Sequence, residues 1–201
     1  MNIVILNGNP DDTNHSFDRY LELYRVRLHK TGHYVRSFLL RDMQIKDLRI
    51  SGFRNNPDPG FIMDDFRYIA NAVSETDLIV MTSPLEQGFV SILAKMVQDR
   101  LSRFLLPKEN KPASVMRLTG NENKMPLLAL ILQKEPNTVE NDVLLNRLAG
   151  ETMAANLHTL LSFCVTMDSD ITETLHKTWK SMDYHFQVEQ TFNGFISGVI
   201  P

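Results

Sequence analysis

The sequence predicts an α/β protein, a doubly wound parallel sheet with helices on both faces. Two observations predict it. Short apolar runs, continuous rather than alternating, read as strands buried on both faces. Amphipathic helical patterns separate those runs, and a regular β-α alternation gives a wound sheet with right-handed crossovers.

The elements follow in chain order. Ile3-Val4-Ile5-Leu6 is the first strand. Phe17, Tyr20, Leu21, Tyr24 and Leu28 then fall at spacings of three and four, with Gly32 as a stop. Tyr34–Leu40 is a more mixed strand, suited to a position nearer an edge. Phe66, Ile69, Ala70 and Val73 repeat the helical spacing, with Asp64 and Asp65 in the first turn, where acids suit the helix dipole. Leu78–Met81 is the next strand. Phe89, Ile92, Leu93, Met96, Val97, Leu101 and Phe104 form a third helical stripe. Leu127–Leu132 is a strand. Asn137 and Glu140 read as a capping box before a helix holding Val143, Leu144, Leu148 and Leu157. Leu160–Val165 is the last strand, and Ile171, Leu175, Trp179, Met182 and Phe186 give the last helix.

Length and composition set the bounds. A chain of 201 residues reads as one domain, 1–201, with an insertion around 107–125 and a last helix plus apolar tail over 171–201. The connection Asp42–Pro59 is also long, and Ala113–Leu118 reads as a small extra edge strand. The net charge of −3 argues against nucleic acid as a partner. One cysteine, Cys164, leaves no intramolecular disulfide and no cysteine-built metal site, which fits a reducing, cytoplasmic setting. Met1–Leu6 is too short for an export segment, and no stretch has the length of a membrane span.

In a wound sheet, ligands bind beyond the carboxyl ends of the strands, where the strand order reverses. For five strands in the order 2-1-3-4-5 that point lies between the first and third. Two loops border it. Asn7-Gly8-Asn9-Pro10-Asp11-Asp12-Thr13-Asn14-His15-Ser16 opens a helix, and free N–H groups there, with Thr13, Asn14 or Ser16, suit an anion. The same residue types are also plain helix caps. The loop lacks the Gly-Lys-Ser/Thr ending of a Walker loop and the later glycines of a Rossmann fingerprint. Asp11 and Asp12 oppose an anion unless both carboxylates point to solvent. Thr82–Ser91 leaves one strand and enters a helix, with Pro84 fixing the backbone and Gly88 permitting close approach.

Together these residues carry a resemblance. Gly8-Asn9-Pro10 through Ser16-Phe17, Thr31–Val35 with Leu40-Arg41-Asp42, Asp64-Asp65-Phe66, and Thr82-Ser83-Pro84 with Gly88, Ser91, Lys95 and Asp99-Arg100 resemble the flavodoxin-like NAD(P)H-dependent FMN reductases and quinone reductases. The likeness covers roughly residues 1–106 and, more loosely, the last two strand–helix units. It implies FMN at the switch point and NAD(P)H as co-substrate. The phosphate would lie on Asn9, Pro10, Thr13, Asn14, Ser16 and Phe17. The ring would lie against Ser83, Pro84, Leu85, Glu86 and Gly88, with a third contact at Gln133-Lys134-Glu135. It also implies a dimer or tetramer acting on a small-molecule electron acceptor. The flavin carries the hydride chemistry, so no catalytic side chain is named.

The departures are specific. The iron–sulfur branch of that family has a cysteine cluster where this chain has Ile50–Asn56, without cysteine. Its aromatic pair after Ser-Pro is replaced by Leu85-Glu86, and an inward carboxylate there disfavours an anionic reduced flavin. Two other readings stand beside the reductase. One is a flavodoxin-type electron carrier, for which a charge of −3 is mild. The other is a flavin-free member of the fold that serves as a sensor or interaction module.

Overall fold

The computed structural model describes residues 1–47, 64–105, 125–157, 159–168, 170–181 and 183. The expectations placed on Asp42–Pro59 beyond residue 47, on the insertion 107–125 up to residue 124, on Ala113–Leu118, on Ile50–Asn56, on Met182 and Phe186, and on the apolar tail lie outside the described residues.

The strands are β1 (Asn2–Asn7), β2 (Tyr34–Leu39), β3 (Leu78–Glu86), β4 (Phe89–Val90), β5 (Leu127–Gln133) and β6 (Leu161–Thr166). The helices are α1 (His15–Lys30), α2 (Phe66–Val73), α3 (Ile92–Leu105), α4 (Glu140–Asn156) and α5 (171–181), with one 3-10 turn at Leu40–Asp42. Five strands run parallel in the order β2-β1-β3-β5-β6, while β4 pairs antiparallel with the end of β3. Without β4, this is the predicted order 2-1-3-4-5.

Each strand divides its side chains between two cores, because successive residues point to opposite faces. Ile3, Ile5, Val80, Ala129 and Ile131 pack under Phe17, Leu21, Tyr24 and Leu28 of α1 and Leu175 of α5. Val4, Leu6, Ile79, Met81 and Leu130 pack under Phe66 and Ile69 of α2, Val97 and Leu101 of α3, and Met153 and Ala154 of α4. Both faces are therefore covered by helices, and the continuous apolar runs follow from that double burial. Polar pairs tie α1 to α5 inside their seam: Tyr20 to Thr174 and Tyr24 to Thr178, each at 2.7 Å.

Three expectations are corrected. Phe89 does not belong to α3; it lies in β4 and is 69 % exposed. The inward face of α4 is Asn146, Gly150, Met153 and Ala154, whereas Leu144 and Leu148 face solvent. That helix starts at Val139 rather than at Asn137: the Asp142 carboxylate accepts the Val139 N–H at 2.9 Å, and Glu140 instead pairs with Lys134. Trp179, on α5, is 38 % exposed.

Candidate functional site

The carboxyl ends of β1, β3 and β5 bring three sequence-distant loops to one edge of the sheet. Gly8 is the hinge between the first two. Its N–H donates to the Thr82 carbonyl at 2.9 Å, and its carbonyl accepts the Ser91 hydroxyl at 2.5 Å. A Cβ on Gly8 would lie 2.6 Å from the Thr82 carbonyl oxygen and 2.8 Å from Ala94 Cβ, so only glycine allows this approach. The third loop joins through side chains: Asn14 Nδ2 donates to Gln133 Oε1 at 2.6 Å.

The first loop is held from below by a half-buried polar knot. Asp18, on the first turn of α1, accepts from Asn7 Nδ2 at 2.8 Å and from Arg41 Nη2 at 2.8 Å. Burial pushes the Asp18 carboxyl up, but the hydrogen bonds from Arg41, Asn7 and Asn9 outweigh it and hold it below the usual carboxylate range. Asn9 is fully buried; its side chain donates to the Asp11 carbonyl and accepts the Asp11 N–H, which bends the loop back on itself. Phe17 is also fully buried, anchoring α1 in the sheet core.

Above that knot, Pro10, Thr13 and Ser16 are exposed, and Asn14 is half-buried. Asn14 is the N-cap of α1: its Oδ1 accepts the Phe17 N–H at 3.3 Å and the Ser16 hydroxyl at 2.9 Å.

The second loop is a tight hairpin. Glu86 pairs with Phe89 across the two-residue turn Gln87-Gly88, and both turn residues have positive φ, 51° and 85°. That is the primed turn that matches strand twist, and it favours glycine at the second place. Ser83, Pro84 and Leu85 are buried, Glu86 is exposed and Gly88 half-buried. Ser83 Oγ accepts the Ser91 N–H at 2.8 Å and donates to the Pro84 carbonyl at 2.7 Å, which closes the base of the hairpin.

Fourteen residues were expected at the site. The structure brings Asn9, Pro10, Thr13, Asn14, Ser16, Ser83, Pro84, Leu85, Glu86, Gly88, Gln133, Lys134 and Glu135 to this one edge, with Phe17 behind them. Sequence reasoning missed Asn7, Asp18, Arg41 and Asn146. Asn146 stands beside Arg147 between Leu145 and Leu148, a polar pair that reads as a solvated face and gives no signal of an inward amide. Among the described residues, no group of three or more metal-ligating side chains is placed to hold an ion.

No protein-family model matches the chain, and no curated protein matches it. Solved structures do. A protein from Klebsiella pneumoniae assigned as a quinone reductase superposes with a TM-score of 0.60 at 12% identity, covering 90% of this chain and 83% of that one. The NAD(P)H:quinone oxidoreductase from Methanothermobacter marburgensis gives 0.54 at 12% identity, over 93% and 96%. The apo form of an NADH:FMN oxidoreductase (EMOB) gives 0.51 at 13% identity, over 91% and 87%. The fold is flavodoxin-like. These neighbours are proteins of the kind that the loop motifs resemble.

The loop chemistry of this flavodoxin-like chain suits a flavin phosphate once two side chains turn. The hydroxyls of Thr13 and Ser16, at the start of α1, are neutral donors of the type a phosphate needs. Asp11 stands in their way. Its Oδ1 takes both the Thr13 N–H at 2.8 Å and the Thr13 hydroxyl at 2.7 Å, and those bonds hold its carboxyl below the usual range. Asp11 is exposed, so rotation of one side chain into solvent frees both donors. With Asp11 turned out and the Ser16 hydroxyl rotated off Asn14 Oδ1, the residues fit.

Proposed function

We propose that the chain is an FMN-dependent oxidoreductase that takes electrons from NAD(P)H and passes them to a quinone or another small acceptor. The observation that carries this reading is the junction of three loops around Gly8, Ser91 and Gln133, at the point of the sheet where strand order reverses. The likeness in fold to an NADH:FMN oxidoreductase and to quinone reductases supports it.

In this reading Thr13 and Ser16 donate to the phosphate, with Asn9, Pro10, Asn14 and Phe17 shaping the loop. Ser83, Pro84, Leu85, Glu86 and Gly88 line the ring, and Gln133 closes the third side. Bound FMN supplies the hydride chemistry at its own ring. The chain's task is orientation: the Ser83–Ser91–Gly8 linkage holds the ring loop at a fixed distance from the phosphate loop. No side chain is assigned as an acid or base. The same reading makes the 201 residues one domain of a cytoplasmic homo-oligomer, a dimer or tetramer.

One observation favours a second reading. The Asp11 carboxylate already fills the Thr13 donors, which is the state expected of a flavin-free sensor or interaction module. Anaerobic addition of NADH or NADPH to the chain with FMN decides between them. Bleaching of the flavin, followed by recovery of colour with a quinone, is the expected result. A flavin spectrum unchanged by either nucleotide contradicts the enzyme reading.

A further inference from the structure

Asn146 is a polar residue turned into the protein from the middle of a helix, and only 8 % exposed. Buried amides are kept only where they are hydrogen-bonded. Here Nδ2 spends both its hydrogens on backbone carbonyls. One goes to Asp142 in its own helix, at 2.7 Å, and the other to Gly88 at the tip of the hairpin, at 2.8 Å. The bond to Asp142 fixes the rotamer, so the second hydrogen is aimed before the hairpin arrives.

The contact is close on the hairpin's side as well. A Cβ on Gly88 would lie 2.9 Å from Cγ and Oδ1 of Asp142. The tip therefore rests directly against the first turns of α4. Gln87, next to it, holds the φ of 51° that the primed turn requires of its first residue. The base of the hairpin is tied by Ser83 and Ser91, and its tip by Asn146. The segment between, Pro84–Glu86, is thus held at both ends.

We infer that Asn146 is a positioning residue for the ring loop: its side-chain amide latches the Gln87-Gly88 turn to α4 and thereby sets where Pro84, Leu85 and Glu86 meet the flavin ring. The latch is a feature of the chain alone; its consequence for the ring rests on the proposed flavin function.

Asn146→Leu keeps the volume and removes the donors. Hydrogen exchange of the flavin-free protein reads the latch directly. The Gln87–Val90 amides are expected to exchange faster by about threefold to tenfold, the worth of one hydrogen bond, while the far-ultraviolet circular dichroism stays unchanged. Gly88→Ala strains the turn itself, whose φ of 85° suits glycine, so it is expected to speed the same amides whatever Asn146 does and marks how far a loosened turn exchanges. With FMN, Asn146→Leu is expected to shift the visible band of the bound flavin and weaken binding by a similar factor. Unchanged exchange in Asn146→Leu overturns the latch. Unchanged band and affinity in Asn146→Leu, with wild-type protein binding FMN, overturn the positioning role. Wild-type protein that binds no FMN overturns the flavin reading and the ring role with it, and the exchange result still decides the latch.

Discussion

The Arg100 guanidinium and the Asp64 carboxylate form a buried ion pair, each side chain 1 % exposed, joined by bonds of 2.8 and 3.2 Å. The pair ties three segments together. Asp64 accepts the N–H groups of Lys46 and Phe66, Arg100 donates to the Lys46 carbonyl, and the guanidinium lies 4.3 Å from the centre of the Phe66 ring. Two motif fragments far apart in sequence, Asp64-Asp65-Phe66 and Asp99-Arg100, are thus one structural unit. Removing one partner strands a charge in the core. Arg100→Met is expected to cost about 3–5 kcal/mol, and Asp64→Leu combined with it to recover only part of that loss, because the Lys46 and Phe66 N–H groups then lack their acceptor. Urea unfolding measures both; a single-variant cost under about 1 kcal/mol would show that the pair is not buried as described.

Gly8 is the second test. Alanine there meets a carbonyl oxygen and a helix Cβ, neither of which yields like the far end of a flexible side chain. Gly8→Ala is expected to destabilise by about 1–3 kcal/mol, the usual range for overpacking. The same urea experiment reads it, and an unchanged midpoint would place the two loops further apart than the Gly8–Thr82 bond allows.

Much of this fold was legible in the sequence because double burial leaves a plain signal. A strand covered on both faces is a continuous apolar run, and such runs mark β1, β5 and β6 closely, whereas β3 runs on past Met81 to Glu86 through residues that read as loop. The β4 hairpin was not legible. Its strand is two residues long, and Phe89 sits three residues before Ile92, so helical spacing absorbed it into α3. The α4 stripe misled for another reason. Leu144 and Leu148 are exposed, while Gly150 packs so close to Leu130 that a Cβ would lie 2.7 Å from it, and Asn146 turns inward to reach Gly88. Side-chain hydrophobicity alone does not report a contact made by a glycine or by an amide that bonds to the backbone. The loops at the site could be named, but the tie between Asp11 and Thr13 depends on loop conformation, which the residue types leave open.

Asp11 gives the third prediction. Its carboxylate competes with any phosphate for the two Thr13 donors. Asp11→Asn removes the charge and weakens the competing acceptor, and is expected to tighten FMN binding severalfold at neutral pH with little effect on riboflavin, which has no phosphate. Fluorescence titration of both flavins measures this. Equal gains for both would mean that Asp11 acts on the ring rather than on the phosphate.

Asp18 sets the fourth, a pH dependence. Its folded value lies below that of the unfolded chain, so the stabilisation it gives is complete above the ordinary aspartate value of about 3.9. That stabilisation is lost as pH falls through the lower folded value, where protonation weakens the bonds from Arg41 and Asn7. Thermal unfolding of wild-type protein is expected to fall off below about pH 4, and Asp18→Asn to start lower and fall off less. Parallel profiles would remove Asp18 from the account.

The central claim is that three loops at one sheet edge form a flavin site, and titration of the purified chain with FMN tests it most directly. The account predicts saturable quenching of flavin fluorescence, stronger in Asp11→Asn and weaker in Gly8→Ala. Fluorescence that stays linear with added FMN in wild type and in Asp11→Asn alike would contradict it.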